Sequence, residues 1–476
     1  MSDGAANRLQ RREFLGSALA GMSLLLPSAQ TLPGAQTSPR GDETLPPSPD
    51  EIAPAPEMTP NVTRRARRYE SQRWLLDAVI ATVGPEWDQH RYAGLLGATA
   101  GRAAEDVAGL RARVHKFRDI TRETARAAIH REHAAQTYEA AGRRIPAREN
   151  YYIAALLYSA AQWPIFEVTR ENLALNDKKN ACYAKYIEYS DHEIRRVEVP
   201  FAGKSLPGYL HLPPGVNGRA PCVWAISGMD SVKETSSALY GDELRERGIA
   251  TLALEGPGQG ECLLRGIYAD AANWIEAGKA VLNWLRGQAS IDPDRIALRC
   301  VSMGSFWGTQ VASADSRLRG CVVHGMCVEP GDNTIFNTAS PTFRLRFMFL
   351  TGYQDEAAFD RFISALSVRP IAPNVHVPYL AIVGQDDQLC PIEDGYALLA
   401  LLGGPKQMMV YEGADHGVGG STAVTMGPSP STVASEWLAD RFAGKPMPTE
   451  HSFVDVSGNV RIRSFAEASR ALSYLG

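Results

Sequence analysis

Three short segments supply a serine, a carboxylate and a histidine that could act in sequence on a carbonyl carbon. The first, Val301-Ser302-Met303-Gly304-Ser305, follows the apolar run 296–300 and leads into a helical stretch. A serine on a sharp strand-to-helix turn projects its hydroxyl away from the backbone, and the residues around it must be small because the helix passes close to the strand. Gly304 supplies one such position, while Cys300 stands where a G-x-S-x-G motif has its first glycine. Ser305 is not expected at the strand end and is set aside as nucleophile. The second segment, Gly384-Gln385-Asp386-Asp387-Gln388-Leu389-Cys390-Pro391, follows the run 379–383. An acid there can fix the tautomer of a histidine on a later loop and stabilise the imidazolium. Asp387 has the spacing from Gly384 and Pro391 that suits this role, and Asp386 is expected to bond its own turn backbone. The third segment is the glycine-rich Gly413-Ala414-Asp415-His416-Gly417, after the run 407–411. With Ser302 as nucleophile, His416 as base and Asp387 as the orienting acid, the chemistry is acyl transfer through a covalent acyl-enzyme.

Such a reaction also needs N–H donors where negative charge develops on the attacked oxygen. The backbone of Met303 and that of Met229, in Ile226-Ser227-Gly228-Met229-Asp230-Ser231, are the candidate oxyanion hole. The turn Glu255-Gly256-Pro257-Gly258-Gln259-Gly260-Glu261 lacks the G-K-[ST] ending of a phosphate loop and is expected to be a tight turn lining the mouth of the site.

The elements that must hold these loops alternate. After residue 191 the sequence predicts a hairpin over 196–200 and 206–212, then buried strands at 222–226, 249–254, 296–300, 320–324, 379–383 and 407–411. Helices are expected at 236–247, 269–288 and 306–314. This alternation predicts a mostly parallel sheet covered on both faces, with functional residues at the carboxyl ends of its strands. The order serine, acid, histidine on successive strand ends is that of the α/β-hydrolase fold. Residues 64–190 carry apolar positions at three- and four-residue steps and are expected to form an N-terminal helical region. The core spans 191–445, a cap-like insertion with Phe336, Phe343, Phe347, Phe349 and Tyr353 occupies 331–373, and 446–476 is a C-terminal tail.

The chain has 476 residues, 45% hydrophobic and 21% charged, and a net charge of -4, as expected of a folded body without a basic face for nucleic acid. Its seven cysteines are scattered and lack C-x-x-C pairs, and His115, His130 and His133 sit among charged residues on helix faces expected to be solvated. Neither a metal nor another cofactor is implied, and a small-molecule substrate is the expected partner. The segment Gln10-Arg11-Arg12-Glu13-Phe14-Leu15-Gly16 precedes the short apolar run 17–26. That order is similar to a twin-arginine export signal over 1–35, followed by a proline-rich linker over 36–63. It predicts export of the folded protein to the periplasm or beyond, without stable membrane insertion after processing.

Together with the triad loops, Ile145-Pro146-Ala147-Arg148-Glu149-Asn150-Tyr151, Leu206-Pro207-Gly208-Tyr209-Leu210, Gly228-Met229-Asp230-Ser231-Val232-Lys233-Glu234 and the 256–261 turn resemble one branch of α/β hydrolases. That branch comprises the 2,6-dihydroxypseudooxynicotine hydrolases, the fungal heptaketide-shortening hydrolases and the fermentation-respiration switch proteins. The resemblance spans roughly 64–445; Cys300, Glu255 and the export signal depart from it. It implies a cap over the catalytic face that contributes to a homodimer, and cleavage of esters or of carbon–carbon bonds beside a ketone in aromatic or polyketide-like substrates. Carbon–carbon cleavage calls for an additional proton donor, for which Glu329, Asp332 and Asp230 are candidates; Glu329 is also the alternative triad acid. Two other readings remain open at this level, an acyltransferase on the same triad and a non-catalytic binding protein of hydrolase fold.

Overall fold

Alternate side chains of the central strands enter two different cores, and this defines the architecture. Cys222, Trp224, Ile226, Ile296, Leu298, Cys300, Cys321, Val323, Tyr379 and Ala381 belong to one apolar cluster. Their neighbours Val223, Ala297, Val322, Leu380 and Ile382 belong to another. A period of two sends successive residues to opposite faces, so a strand covered on both sides must be apolar throughout. The computed structural model describes residues 67–87, 91–216, 218–229, 231–240, 242–331, 336, 341–465 and 467–468. The expected export signal and linker, and also Asp230 and Asp332, lie outside the described residues.

Among those residues the strands form one ten-stranded sheet of order β1-β2-β4-β3-β5-β6-β7-β8-β9-β10. The strands are β1 (Ile194–Phe201), β2 (Lys204–His211), β3 (Ala220–Ile226), β4 (Ala250–Leu254), β5 (Ile291–Val301), β6 (Cys321–His324), β7 (Tyr379–Gly384), β8 (Lys406–Tyr411), β9 (Glu450–Val454) and β10 (Val460–Arg463). β1 and β2 are a hairpin with Ile194 opposite His211, and β2 runs antiparallel to β4. From β4 through β9 neighbouring strands are parallel, and β10 returns antiparallel on β9. This is the α/β-hydrolase fold. All six residues of β7 are buried, whereas the edge strand β1 alternates between buried and exposed positions.

On one face lie the helices Asn273–Arg286 and Met303–Ala314, whose Trp274 and Trp307 stack at 4.7 Å with Trp224 of β3 beyond Trp274 at 6.2 Å. On the other face lies Pro430–Phe442, started by Ser429 and Pro430, with Trp437 and Leu438 turned inward. The segment 446–476, expected to be a tail, instead supplies β9 and β10 to the sheet. Its strand was hidden because the buried positions include His451 and Ser452; His451 Nε2 and the Tyr396 hydroxyl share a hydrogen bond at 2.6 Å.

Helices Arg67–Val83, Arg91–Ala98, Ala104–Arg113, Phe117–Ala140, Arg144–Gln162 and Arg170–Glu188 precede the sheet and share a separate apolar core, joined by Tyr209 of β2. Glu139 ties three of their segments together by accepting from Lys185 Nζ at 2.8 Å and from the Tyr151 and Tyr189 hydroxyls, each at 2.5 Å. These bonds, that from Lys185 first, hold its carboxyl down at about 2. This helical layer meets the insertion, where Arg346 lies over Trp163 at 4.7 Å, and the helix after β3, where Lys179 reaches Glu234 at 3.5 Å. No helix among the described residues is long and apolar enough to cross a membrane. In the insertion, Phe336, Phe347 and Tyr353 pack with Phe359 at ring separations of 5.8 to 6.1 Å. These aromatics are packing residues, while Phe349 faces a cavity on the seam with the helical layer.

Candidate active site

Ser302 ends β5 and starts the next helix with φ 54° and ψ −128°, in the region that non-glycine residues rarely enter. Several contacts hold it there. Its N–H donates to the His324 carbonyl at the end of β6 at 2.8 Å. The Ser305 hydroxyl donates to the Ser302 carbonyl at 2.6 Å and accepts from the Cys327 N–H at 2.8 Å. Ser305, set aside as a nucleophile, is therefore a brace of the turn. Gly304 is required by proximity, since a Cβ there would lie 2.3 Å from the Ile226 carbonyl oxygen.

Cys300 takes the place of a motif glycine without disturbing the turn because the facing helix is hollowed to receive it. A Cβ on Gly308 would fall 2.2 Å from Cys300 Sγ, so the sulfur occupies the space that a side chain at 308 would need. Gly308→Ala is expected to cost about 1–3 kcal/mol by overpacking, and adding Cys300→Gly should recover most of that loss. Thermal unfolding of the single and double variants measures this compensation. Equal melting temperatures for the two would contradict it.

The three segments that the sequence singles out converge. His416 Nε2 lies 2.8 Å from Ser302 Oγ, and His416 Nδ1 lies 2.9 Å from Asp387 Oδ2. The other oxygen of Asp387 accepts from the backbone N–H groups of Leu389 and Cys390, both at 2.9 Å, which fixes the carboxylate plane. Asp387 is buried and His416 partly open, as a base must be to meet a substrate. Glycine allows the loops to approach: a Cβ on Gly384 would meet the Ala414 carbonyl at 2.3 Å, and one on Gly325 (φ +60°) would press on His416 Cε1 at 3.1 Å. Nδ1 beside the carboxylate would carry the proton, leaving Nε2 to accept one from Ser302.

Met303 and Met229 are buried, Met303 as first residue of the helix that follows Ser302 and Met229 on the turn after β3. The Glu329 carboxylate accepts from the Ser367 hydroxyl at 2.7 Å and pairs with Arg369 at 3.0 Å, which also binds Asp394 at 2.6 Å. The place beside His416 belongs to Asp387. Among the described residues, one group of potential metal ligands is close enough to converge, Asp387, Cys390 and His416. Two of these are the acid and base just described, and the Cys390 thiol is held well above its usual range by its bond to Cys327 and by burial, so it stays protonated and is a poor ligand.

Sequence reasoning did not find the structural partners of the site: Ser305, Gly325 and, beneath the Met229 turn, Gln259. Gln259 sits in a recognisable glycine-rich turn, but its partners are backbone carbonyls about thirty residues upstream, which no residue type betrays.

Residues 112–345 match the model of a family described as FrsA-like esterases. The chain is 33% identical over 192 residues to the α/β hydrolase xenA of Xenoacremonium sinensis, a match covering 38% of this chain and 45% of that protein. To the α/β hydrolase gkaG of Penicillium citrinum it is 32% identical over 201 residues, covering 40% and 47%. The chain thus spans less than half the length of the curated relatives it matches. Among solved structures it is similar to 2,6-dihydroxy-pseudo-oxynicotine hydrolase, with a TM-score of 0.64 and 23% identity over 75% of this chain and 98% of that one. AbyA5 gives a TM-score of 0.58 at 18% identity over 75% and 95%. These two likenesses agree with the fold described above.

Proposed function

We propose, for a chain that belongs to the α/β hydrolases, that it is a serine hydrolase which cleaves an ester, or a carbon–carbon bond beside a ketone, through an acyl-enzyme. The observation that carries this reading is the unbroken hydrogen-bonded relay from Ser302 through His416 to Asp387, set on a backbone turn that exposes the hydroxyl. Ser302 Oγ attacks the carbonyl carbon as His416 Nε2 takes its proton, and the oxyanion is received by the N–H groups of Met303 and Met229. His416 then gives the proton to the leaving group and activates the water that releases the acid. The substrate class in this proposal is aromatic or polyketide-like, as the resemblance of the sequence motifs implies. Export in the folded state is part of this proposal; it is supported by the paired arginines of the leader and by seven cysteines that are all unpaired and buried.

A fluorophosphonate probe tests the reading. The expected result is a label on the Ser302 peptide that is absent in Ser302→Ala and much reduced in His416→Ala, followed by Ser302-dependent turnover of aryl esters or β-diketones. Absence of label on folded protein would overturn it in favour of a binding protein of hydrolase fold.

A further inference from the structure

We propose that Gln259 is a positioning residue that aims the Met229 N–H into the oxyanion hole. This rests on the hydrolase reading above and extends it to a side chain that touches no substrate. Gln259 is 1% exposed and all its polar capacity is engaged. Its Oε1 accepts from the Gly256 N–H at 3.0 Å, which fixes the amide orientation, and its Nε2 donates to the Ser227 carbonyl at 2.8 Å and the Gly228 carbonyl at 3.1 Å. The Gly228 carbonyl and the Met229 N–H belong to one peptide unit. In a trans peptide the two point in opposite directions, so a donor that grips the carbonyl from one side turns the N–H to the other. The same holds for the Ser227 carbonyl and the Gly228 N–H. The Ser227 carbonyl is also confined by Gly304, where even a Cβ would lie 2.5 Å away. The turn after β3 is thereby clamped between the Gln259 amide and the helix that begins at the nucleophile.

The clamp has a rigid base. Glu255 accepts from the backbone N–H groups of Lys233 at 3.1 Å and Glu261 at 2.8 Å, so it joins the far end of the oxyanion turn to the glycine-rich turn that carries Gln259. Gly260 (φ +39°) packs directly on the Glu255 carboxylate, leaving no room for a side chain. Trp274 Nε1 donates to the Pro257 carbonyl at 3.1 Å. A preorganised donor costs no rearrangement when charge develops, and Gln259 supplies that preorganisation from outside the substrate pocket.

The test compares wild type with Gln259→Glu, which keeps an acceptor for the Gly256 N–H and removes the donors to both carbonyls. The expected result is a folded protein with a lowered melting temperature, since the new carboxylate is buried against two carbonyl oxygens, with KM nearly unchanged for an aryl ester and kcat lower by roughly 10–100-fold, short of the loss from deleting an oxyanion donor outright. The affinity for an aryl boronic acid, which forms a tetrahedral adduct on serine, should fall in parallel with kcat/KM. If Gln259→Glu fails to fold, Gln259→Met, which removes the donors without adding charge, gives the same comparison. A folded variant with wild-type kcat and boronate affinity overturns the inference while leaving the hydrolase reading intact. Failure of wild-type Ser302 to react with fluorophosphonate removes both.

Discussion

Asp387→Asn is expected to lower kcat by about 10⁴-fold with little change in fold, because asparagine keeps the volume but favours the wrong imidazole tautomer. The carboxylate is held by two backbone N–H donors on one oxygen and by His416 on the other, so the substitution acts directly on the orientation and charge of the base. Glu329→Gln is the companion experiment. Glu329 already serves Ser367 and Arg369, and its loss should disturb that local contact while leaving kcat within a few-fold of wild type. Steady-state kinetics on an aryl ester separates the two acids. A tolerant Asp387→Asn with an inactive Glu329→Gln would reverse the assignment.

Lys233→Met is expected to destabilise the protein by about 3–5 kcal/mol, the cost of leaving buried charge uncompensated. The Lys233 ammonium is fully buried and lies 2.8 Å from Glu234, 3.3 Å from Glu255 and 2.8 Å from Glu261. Burial alone would lower its pKa, but the three carboxylates outweigh burial and raise it well above the ordinary lysine value. Removing it leaves those carboxylates with Lys179, Arg196 and Arg265, which reach Glu234 and Glu261 but not Glu255. Replacing Glu255 by Gln in the same chain should recover part of the loss. Denaturant unfolding measures both variants, and a shift below about 1 kcal/mol for Lys233→Met would show that the cluster contributes specificity of structure rather than stability.

The triad was legible because each member follows a mostly apolar run, with Arg299 and Gln407 the charged or polar exceptions within 296–300 and 407–411, and such runs are visible without knowledge of the partner strand. Ser302, Asp387 and His416 inherit their positions from β5, β7 and β8; the limits of β7 and β8 are within one residue of those expected, while β5 begins at Ile291 instead of Ile296. The helix expected over 236–247 instead begins at Lys233 and is divided into Lys233–Tyr240 and Asp242–Glu246. β9 escaped notice because its inward positions include the polar residues His451 and Ser452, and the partner that His451 meets, Tyr396, lies 55 residues upstream. The same limitation hid the supporting atoms of the site. Hydrogen bonds from a side chain to remote backbone, as at Gln259 and Ser305, depend on tertiary approach and leave no pattern in residue type. The tolerance of Cys300 is a related case, since it depends on the absence of a side chain at Gly308 in the opposing helix.

The two outermost strands bear on solubility. Arg195, Arg196 and Glu198 project from β1, and Arg461 and Arg463 from β10. A strand docking edge-on from another molecule would have to strip water from these ions along each rim, which guards an open sheet against runaway aggregation.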